Sequence, residues 1–217
     1  MKTLTERVYH LSPPYGLFDG TVVRNLFYNE TEGARKLLLH RAVRAGEILR
    51  LKPGLYMIAP KFRKEPPHSF ILAAVLHFPS HISLESALAF HGLIPEAVFS
   101  VSCVSPSRGR TYRTPAGIFS FYRVSHRFPW AGVRAVKVGQ NGWAFIAEPL
   151  RAVADMVFVN KQICWSKDGM GYLIESLRID PDDLVSMDFS SLEEIVGGFS
   201  CRRTRIYLDH MAKELMG

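Results

Sequence analysis

TEGARKLLLHRAVRAGEILRLKPGLYMI, residues 31–58, holds two periodicities in one run. Its first half repeats at helical spacing and predicts an amphipathic helix from about Glu32 to Ala45, ended by Gly46. Asn29 or Thr31 can cap it, and Asn29 with Glu32 has capping-box spacing. On a wheel of about 100° per residue, Ala34, Leu38, Ala42 and Ala45 fall on one side with Leu37 at the edge. Gly33, Lys36, His40 and Arg44 fall opposite, and Arg35 and Arg41 flank the apolar side. In the second half, Ile48–Leu51 and Leu55–Ile58 surround Lys52-Pro53-Gly54. This pattern predicts a β-hairpin with a tight turn. Leu49 and Leu51 alternate with Arg50 and Lys52, so one hairpin face is expected to pack and the other to be basic.

Upstream, GTVVRNLF (residues 20–27) reads as a short helix. Helix, turn, helix and basic hairpin together predict a winged helix-turn-helix over residues 1–64. The charge distribution agrees. The chain has a net charge of +7, with 12 basic and 5 acidic residues in positions 1–64 and 15 of each in positions 65–217. Concentrated positive charge attracts a polyanion and releases its counterions. A major groove admits one α-helix, and long donor-bearing side chains reach its base edges. Lys36, His40 and Arg44 are therefore expected to enter the groove. Thr31 and Gly33 allow close approach at the helix N-terminus, and Arg50 and Lys52 hold the flanking backbone. The competing readings of the same residues are a solvated basic face or a winged helix used for protein contacts.

The charged, proline-bearing stretch Lys61–Pro67 reads as a linker. Beyond it, residues 66–217 are expected to form a mixed α/β domain, making the chain α+β overall. Helices are predicted over Ser69–His77 and Leu84–His91, the second capped by Ser83 and stopped by Gly92. Four β-rich runs follow between Val98 and Ile146, separated by turn-forming segments. Pro149 opens a helix through about Val159. The last third is predicted to hold helices near Gly171–Arg178, Leu192–Gly197 and Arg202–Leu215.

The order of several segments resembles a known family. These are ARKLLLHRAVRAGEILRLKPGLYMI, then HISLESALAFHGLIPE, TPAGIFSFYRV and AFIAEPLRAVADMV. Together they are similar to the AbiEi antitoxins of type IV, abortive-infection toxin–antitoxin systems, over about residues 15–160. Arg50–Tyr56 and Ser83–Glu96 are the most specific parts. The resemblance implies a winged-helix N-domain and a larger C-domain. It also implies binding to inverted repeats in double-stranded DNA at the promoter of the protein's own operon, with repression. The functional partner would be a nucleotidyltransferase toxin, countered without a stable complex. The residues carried over are Arg35, Lys36, Arg44, Arg50 and Lys52. Many relatives have an arginine-rich pair where this chain has Gly33-Ala34, and some relatives are free-standing regulators.

Other chemistry was weighed against plainer readings. His77, His81 and Glu85 have a metal-like spacing, but Pro79 and Ser80 interrupt any helix between them, so no metal is expected. Glu85, Glu96 and Asp155 lack the companion motifs of a nuclease. There is no phosphate-binding loop and no nucleophile elbow, so neither a cofactor nor catalysis is expected. A nuclease or nucleotidyl-acting enzyme targeted by the basic module is the alternative, and a protein-interaction adaptor is a second. Arg108, Arg110 and Arg113 form a basic cluster read either as a solvated hairpin loop or as auxiliary DNA contacts. Arg202, Arg203 and Arg205 form a third cluster. His91 reads as a helix-end or packed histidine, and Phe119, Phe121 and Tyr122 as core. The three well-separated cysteines form no CxxC pair and are expected to be reduced. The first residues lack the apolar run of a secretory signal, and no apolar run is long enough to span a bilayer. A cytoplasmic, membrane-free protein is expected.

Overall fold

The computed structural model describes residues 3–63, 65–95, 99–140 and 142–217. Glu96, one of the carboxylates weighed above, lies outside them. The chain is a mixed α+β protein that divides into two compact units. One is Met1–His68 with Tyr112–Gly117, and the other is Ser69–Thr111 with Ile118–Gly217. No helix among the described residues is long and apolar enough to cross a membrane.

The first unit runs α1 (Leu4–Leu11), β1 (Leu17–Asp19), α2 (Gly20–Leu26), α3 (Glu32–Arg44), β2 (Ile48–Lys52) and β3 (Leu55–Ile58). Each helix begins where a side chain satisfies backbone N–H groups left without helical partners. Thr3 and Glu6 form a reciprocal capping box at α1. Asp19 accepts from Thr21 and Val22 at α2. Thr31, rather than Asn29, accepts from the Ala34 N–H at 3.2 Å. The strands pair in the order β1-β3-β2, all antiparallel. Gly54, at φ +80°, supplies the left-handed turn residue that follows Pro53 in the hairpin. A bulge between Arg50 and Lys52 shifts the register there. It turns Leu51 inward beside Ile48 and leaves Leu49 only half-buried, in place of the expected Leu49/Leu51 alternation.

The core of this unit is Leu4, Val8, Phe18, Val23, Phe27, Ala42, Ile48 and Ile58. From α3 it receives Ala42 with the partly buried Leu38, Leu39 and Val43. The apolar side of α3 is thus rotated from the expected one. Leu37 is 48% exposed and Ala45 is also exposed. The larger Leu39 and Val43 remove more hydrocarbon from water than alanines do, and so set which side turns inward.

A six-stranded mixed sheet, ordered β6-β7-β5-β4-β9-β8, belongs to the second unit except for Tyr112–Thr114 of β6 and Gly117 of β7. Its strands are β4 (His81–Ile82), β5 (Ser100–Ser105), β6 (Arg110–Thr114), β7 (Gly117–Arg123), β8 (Val133–Val138) and β9 (Gly142–Ala147). Pairs β5/β7 and β4/β9 are parallel, whereas β4/β5 and β8/β9 are antiparallel. Helices α4 (Ser69–Leu76) and α5 (Leu84–Phe90) pack on the sheet. Next come α6 (Pro149–Val159), α7 (Trp165–Asp168), a π-helical turn at Tyr172–Ser176, α8 (Pro181–Val185), α9 (Leu192–Gly198) and α10 (Arg202–Met216). Pro149 opens α6 as expected. Strands β4 and β6 and helices α7 and α8 were not expected.

Within α6 the residues Leu150 to Val157 are all buried, including two charges. Arg151 Nε donates to Asp155 Oδ1 at 3.0 Å, one helical turn away. Arg151 Nη1 donates to the Ala131 carbonyl at 2.8 Å, and Ser83 Oγ donates to Asp155 Oδ2 at 2.7 Å. His81 Nε2 lies 3.5 Å from the same oxygen. Ser83 thus occupies the cap position of α5 but does not cap with its side chain. It ties the junction of β4 and α5, where Leu84 holds a left-handed backbone at φ 57°, to α6. Burial alone would raise the Asp155 pKa. Arg151, His81 and the Ser83 hydroxyl outweigh burial and hold it below the ordinary value.

Two results should follow. Asp155→Asn leaves the Arg151 charge buried without its partner, so urea unfolding should show a loss of about 3–5 kcal/mol. Because the folded pKa lies below the unfolded value of 3.8, the carboxylate's contribution is complete at neutral pH. It should fall as pH drops past 3.8 and vanish below the folded pKa. Asp155→Asn should flatten that part of the acid-unfolding curve.

Candidate nucleic-acid interface

The core contacts of α3 fix which side chains face outward. Gly33, Lys36, Leu37, His40, Arg41 and Arg44 are exposed. At 1.5 Å per residue, the stretch from Lys36 to Arg44 covers about 12 Å of helix axis. His40, Arg41 and Arg44 make no side-chain hydrogen bond or ion pair with any described residue. Their cationic or donor groups therefore need give up only water to reach a ligand. Lys36 pairs with Glu32 one turn earlier at 2.5 Å, with both side chains about three-quarters exposed. The hydrogen bond and charge of Lys36 hold the Glu32 carboxyl below its ordinary pKa. Exposed pairs of this kind are weak and easily exchanged.

Arg35 lies elsewhere. It is half-buried, and its Nη1 donates to the carbonyls of Phe27 and Glu30 in the turn between α2 and α3. The Phe27 carbonyl also accepts the Glu30 N–H at 3.0 Å, so Arg35 adds a second bond to a turn that already closes on itself. Arg35 thus fixes the angle at which α3 leaves the turn. Arg7 acts on the same corner from α1, donating to the Leu26 carbonyl at 2.7 Å and lying 4.4 Å over the Phe27 ring. Thr31 uses its hydroxyl oxygen as the cap but keeps a hydroxyl hydrogen to donate.

In the hairpin, Arg50 is exposed and makes no side-chain hydrogen bond or ion pair with any described residue, while Lys52 is half-buried. Strand β2 packs beside α3, so the hairpin adjoins the helix within one unit. The sequence reading missed Arg41, which it set beside the apolar side. Weighting Leu39 and Val43 above the alanines would have turned it outward. It also passed over Tyr28, 76% exposed in the turn between α2 and α3. An aromatic residue among polar turn residues was the available signal.

The remaining basic clusters separate. Arg108, Arg110 and Arg113 are all exposed, but Arg113 belongs to the first unit and the other two to the second. Arg203 reaches back from α10 to the carbonyls of Phe158 and Ile163, while Arg202 and Arg205 are exposed. His91 bonds the Ala147 carbonyl at 3.0 Å. Phe119 and Phe121 are buried, whereas Tyr122 is 39% exposed. Among the described residues no group of histidines, cysteines and carboxylates is arranged to hold a metal ion.

This division of labour predicts different effects for neighbouring arginines. Arg35→Ala should lower the stability of the first unit by about 1–2 kcal/mol in denaturant titrations, by removing its bonds to the Phe27 and Glu30 carbonyls. Arg41→Ala and Arg44→Ala should shift it by no more than about 0.5 kcal/mol. Compared with protein-family models the chain matches none, and compared with curated proteins it matches none.

Proposed function

We propose that the first unit is a winged helix-turn-helix and that the protein is a sequence-specific DNA-binding repressor. The observation that carries this reading is the outward row of α3, whose His40, Arg41 and Arg44 are uncommitted donors beside a hairpin bearing the uncommitted Arg50. The element order α1, β1, α2, α3, β2, β3 and the strand order β1-β3-β2 support the fold part of the reading. The surplus of basic residues in the first 64 positions supports the partner, since neutralising phosphates releases counterions.

In this reading α3 lies in the major groove. Arg44, Arg41 and His40 read base edges, and Lys36 leaves Glu32 to meet a phosphate. Arg50 and Lys52 grip the flanking backbone. Thr31 and the first turn of α3 face a phosphate, where the helix dipole favours negative charge. Arg35 acts indirectly, by holding the turn that aims the helix. The wider role is that of an antitoxin in a type IV toxin–antitoxin system, repressing its own operon and opposing a nucleotidyltransferase toxin. That role rests on the AbiEi-like segments, above all Arg50–Tyr56 and Ser83–Glu96.

Gel-shift and anisotropy titrations on the operon's promoter test the reading. Arg44→Ala should lose about 1–3 kcal/mol on the cognate site and relax preference at one base position. Arg50→Ala should weaken all duplexes alike and reduce the slope of log K against log salt by about 1. Promoter binding unchanged in both variants would sink the assignment. Divalent-metal-dependent cleavage of the DNA would favour an enzyme instead.

A further inference from the structure

The second unit contains a cavity of about 110 Å³ that the DNA-binding reading does not use. Val104 of β5, Val124, Pro106, Pro129 and Trp130 supply most of its wall, with Arg151 and His81 on the polar side. Trp130 is 46% exposed and forms part of the rim. The surrounding segment is held firmly. The Arg127 N–H donates to the Gly198 carbonyl at 2.8 Å, and the Glu148 N–H donates to the Gly132 carbonyl at 2.8 Å. A side chain at Gly198 would collide with the His126 ring, its Cβ falling 1.9 Å from Cε1.

Arg151 is the unusual member of the lining. It is 1% exposed, and two of its three nitrogens are committed, to Asp155 and to the Ala131 carbonyl. Nη2 makes no hydrogen bond to any described residue. His126 cannot serve it. Its Nε2 donates to the Ile195 carbonyl at 2.9 Å, and its Nδ1 accepts the Phe128 N–H at 3.1 Å. Nη2 is not among the fully buried atoms left without a partner, so water reaches it from the cavity, and an acceptor on a ligand would take that water's place.

The lining defines the acceptor. One charged donor group set in mostly hydrocarbon walls suits a ligand with one anionic end and an apolar body. Inorganic phosphate would bury further oxygens against valine and proline with nothing to bond them. At about 110 Å³ the cavity is smaller than the about 150 Å³ that holds one benzene, so only a short chain fits. We propose that this cavity binds a short-chain monocarboxylate, with its carboxylate on Arg151 Nη2 and its alkyl chain between Trp130, Val104 and Val124.

Calorimetric and ligand-observed NMR titrations of the full chain with butyrate test the proposal, with butyramide, 1-butanol and inorganic phosphate as comparators. Butyrate should bind with a dissociation constant on the order of 1 mM or tighter, and each comparator about tenfold more weakly or worse. Trp130→Ala removes an exposed wall and should weaken butyrate about fivefold or more without altering the thermal transition. The paired change Arg151→Met with Asp155→Leu removes both buried charges together, a replacement that folds tolerate far better than loss of one partner. It should abolish butyrate binding while circular dichroism stays that of the parent. If that variant does not fold, Trp130→Ala carries the test alone. Equal affinity for butyrate and butyramide would overturn the proposal, as would no butyrate binding at about 10 mM. So would parental affinity in either folded variant.

Discussion

A charged side chain shut away from water must find its counter-charge inside the protein, and in the second unit that requirement organises the fold around Arg151 and Asp155. The two sit one turn apart on α6, so the helix itself fixes their spacing. Each then uses one further polar atom on a different part of the chain. Asp155 accepts from Ser83 at the β4–α5 junction, and Arg151 donates to Ala131 before β8. Segments far apart in sequence are pinned by hydrogen bonds that tolerate little slack. The apolar surroundings that make the pair expensive to bury also make it strong once formed.

The first unit solves a different problem, that of keeping cations exposed on a helix that must also pack. Helix α3 gives the core only a narrow strip, Leu38, Leu39, Ala42 and Val43. So narrow a strip does not hold a helix at a fixed angle by hydrophobic burial alone. Polar contacts at its N-terminal end supply the rest. Thr31 caps the start, and Arg35 with Arg7 anchors the corner through the carbonyls of residues 26, 27 and 30. The outer row is thereby free to carry chemistry with no structural duty.

Much of this order was legible in the amino-acid sequence, for identifiable reasons. Pro149 and the apolar spacing after it marked α6 to the residue, and the Pro53-Gly54 pair marked the hairpin. Local rules suffice where the cause is local. The orientation of α3 was misjudged because three of the four residues chosen as its inner side were alanines, which pack equally well on either side of such a helix. Strand β4 has only two residues, His81 and Ile82, and is defined by partners at Val104, Cys103 and Ile146. No local pattern announces it. The Ser83 hydroxyl was taken as a cap because serine there usually is one, whereas its real partner lies 72 positions away. Long-range polar pairing of this kind leaves no periodic trace. The same limit hid the duty of Arg35, which the family resemblance set among the DNA-binding cations.

The commitment of Arg35 also bears on how such a protein can change over generations. The side chains of positions 40, 41 and 44 are exposed and make no hydrogen bond or ion pair with any described residue, so on the proposed reading drift can rewrite them and a lineage can acquire a new target without first passing through an unstable ancestor. Position 35 offers no such latitude, because any replacement must still hold two carbonyls in place. On the proposed DNA-binding reading, heritable variation in recognition is channelled into the exposed sites of one helix, and the scaffold beneath them is insulated from the search.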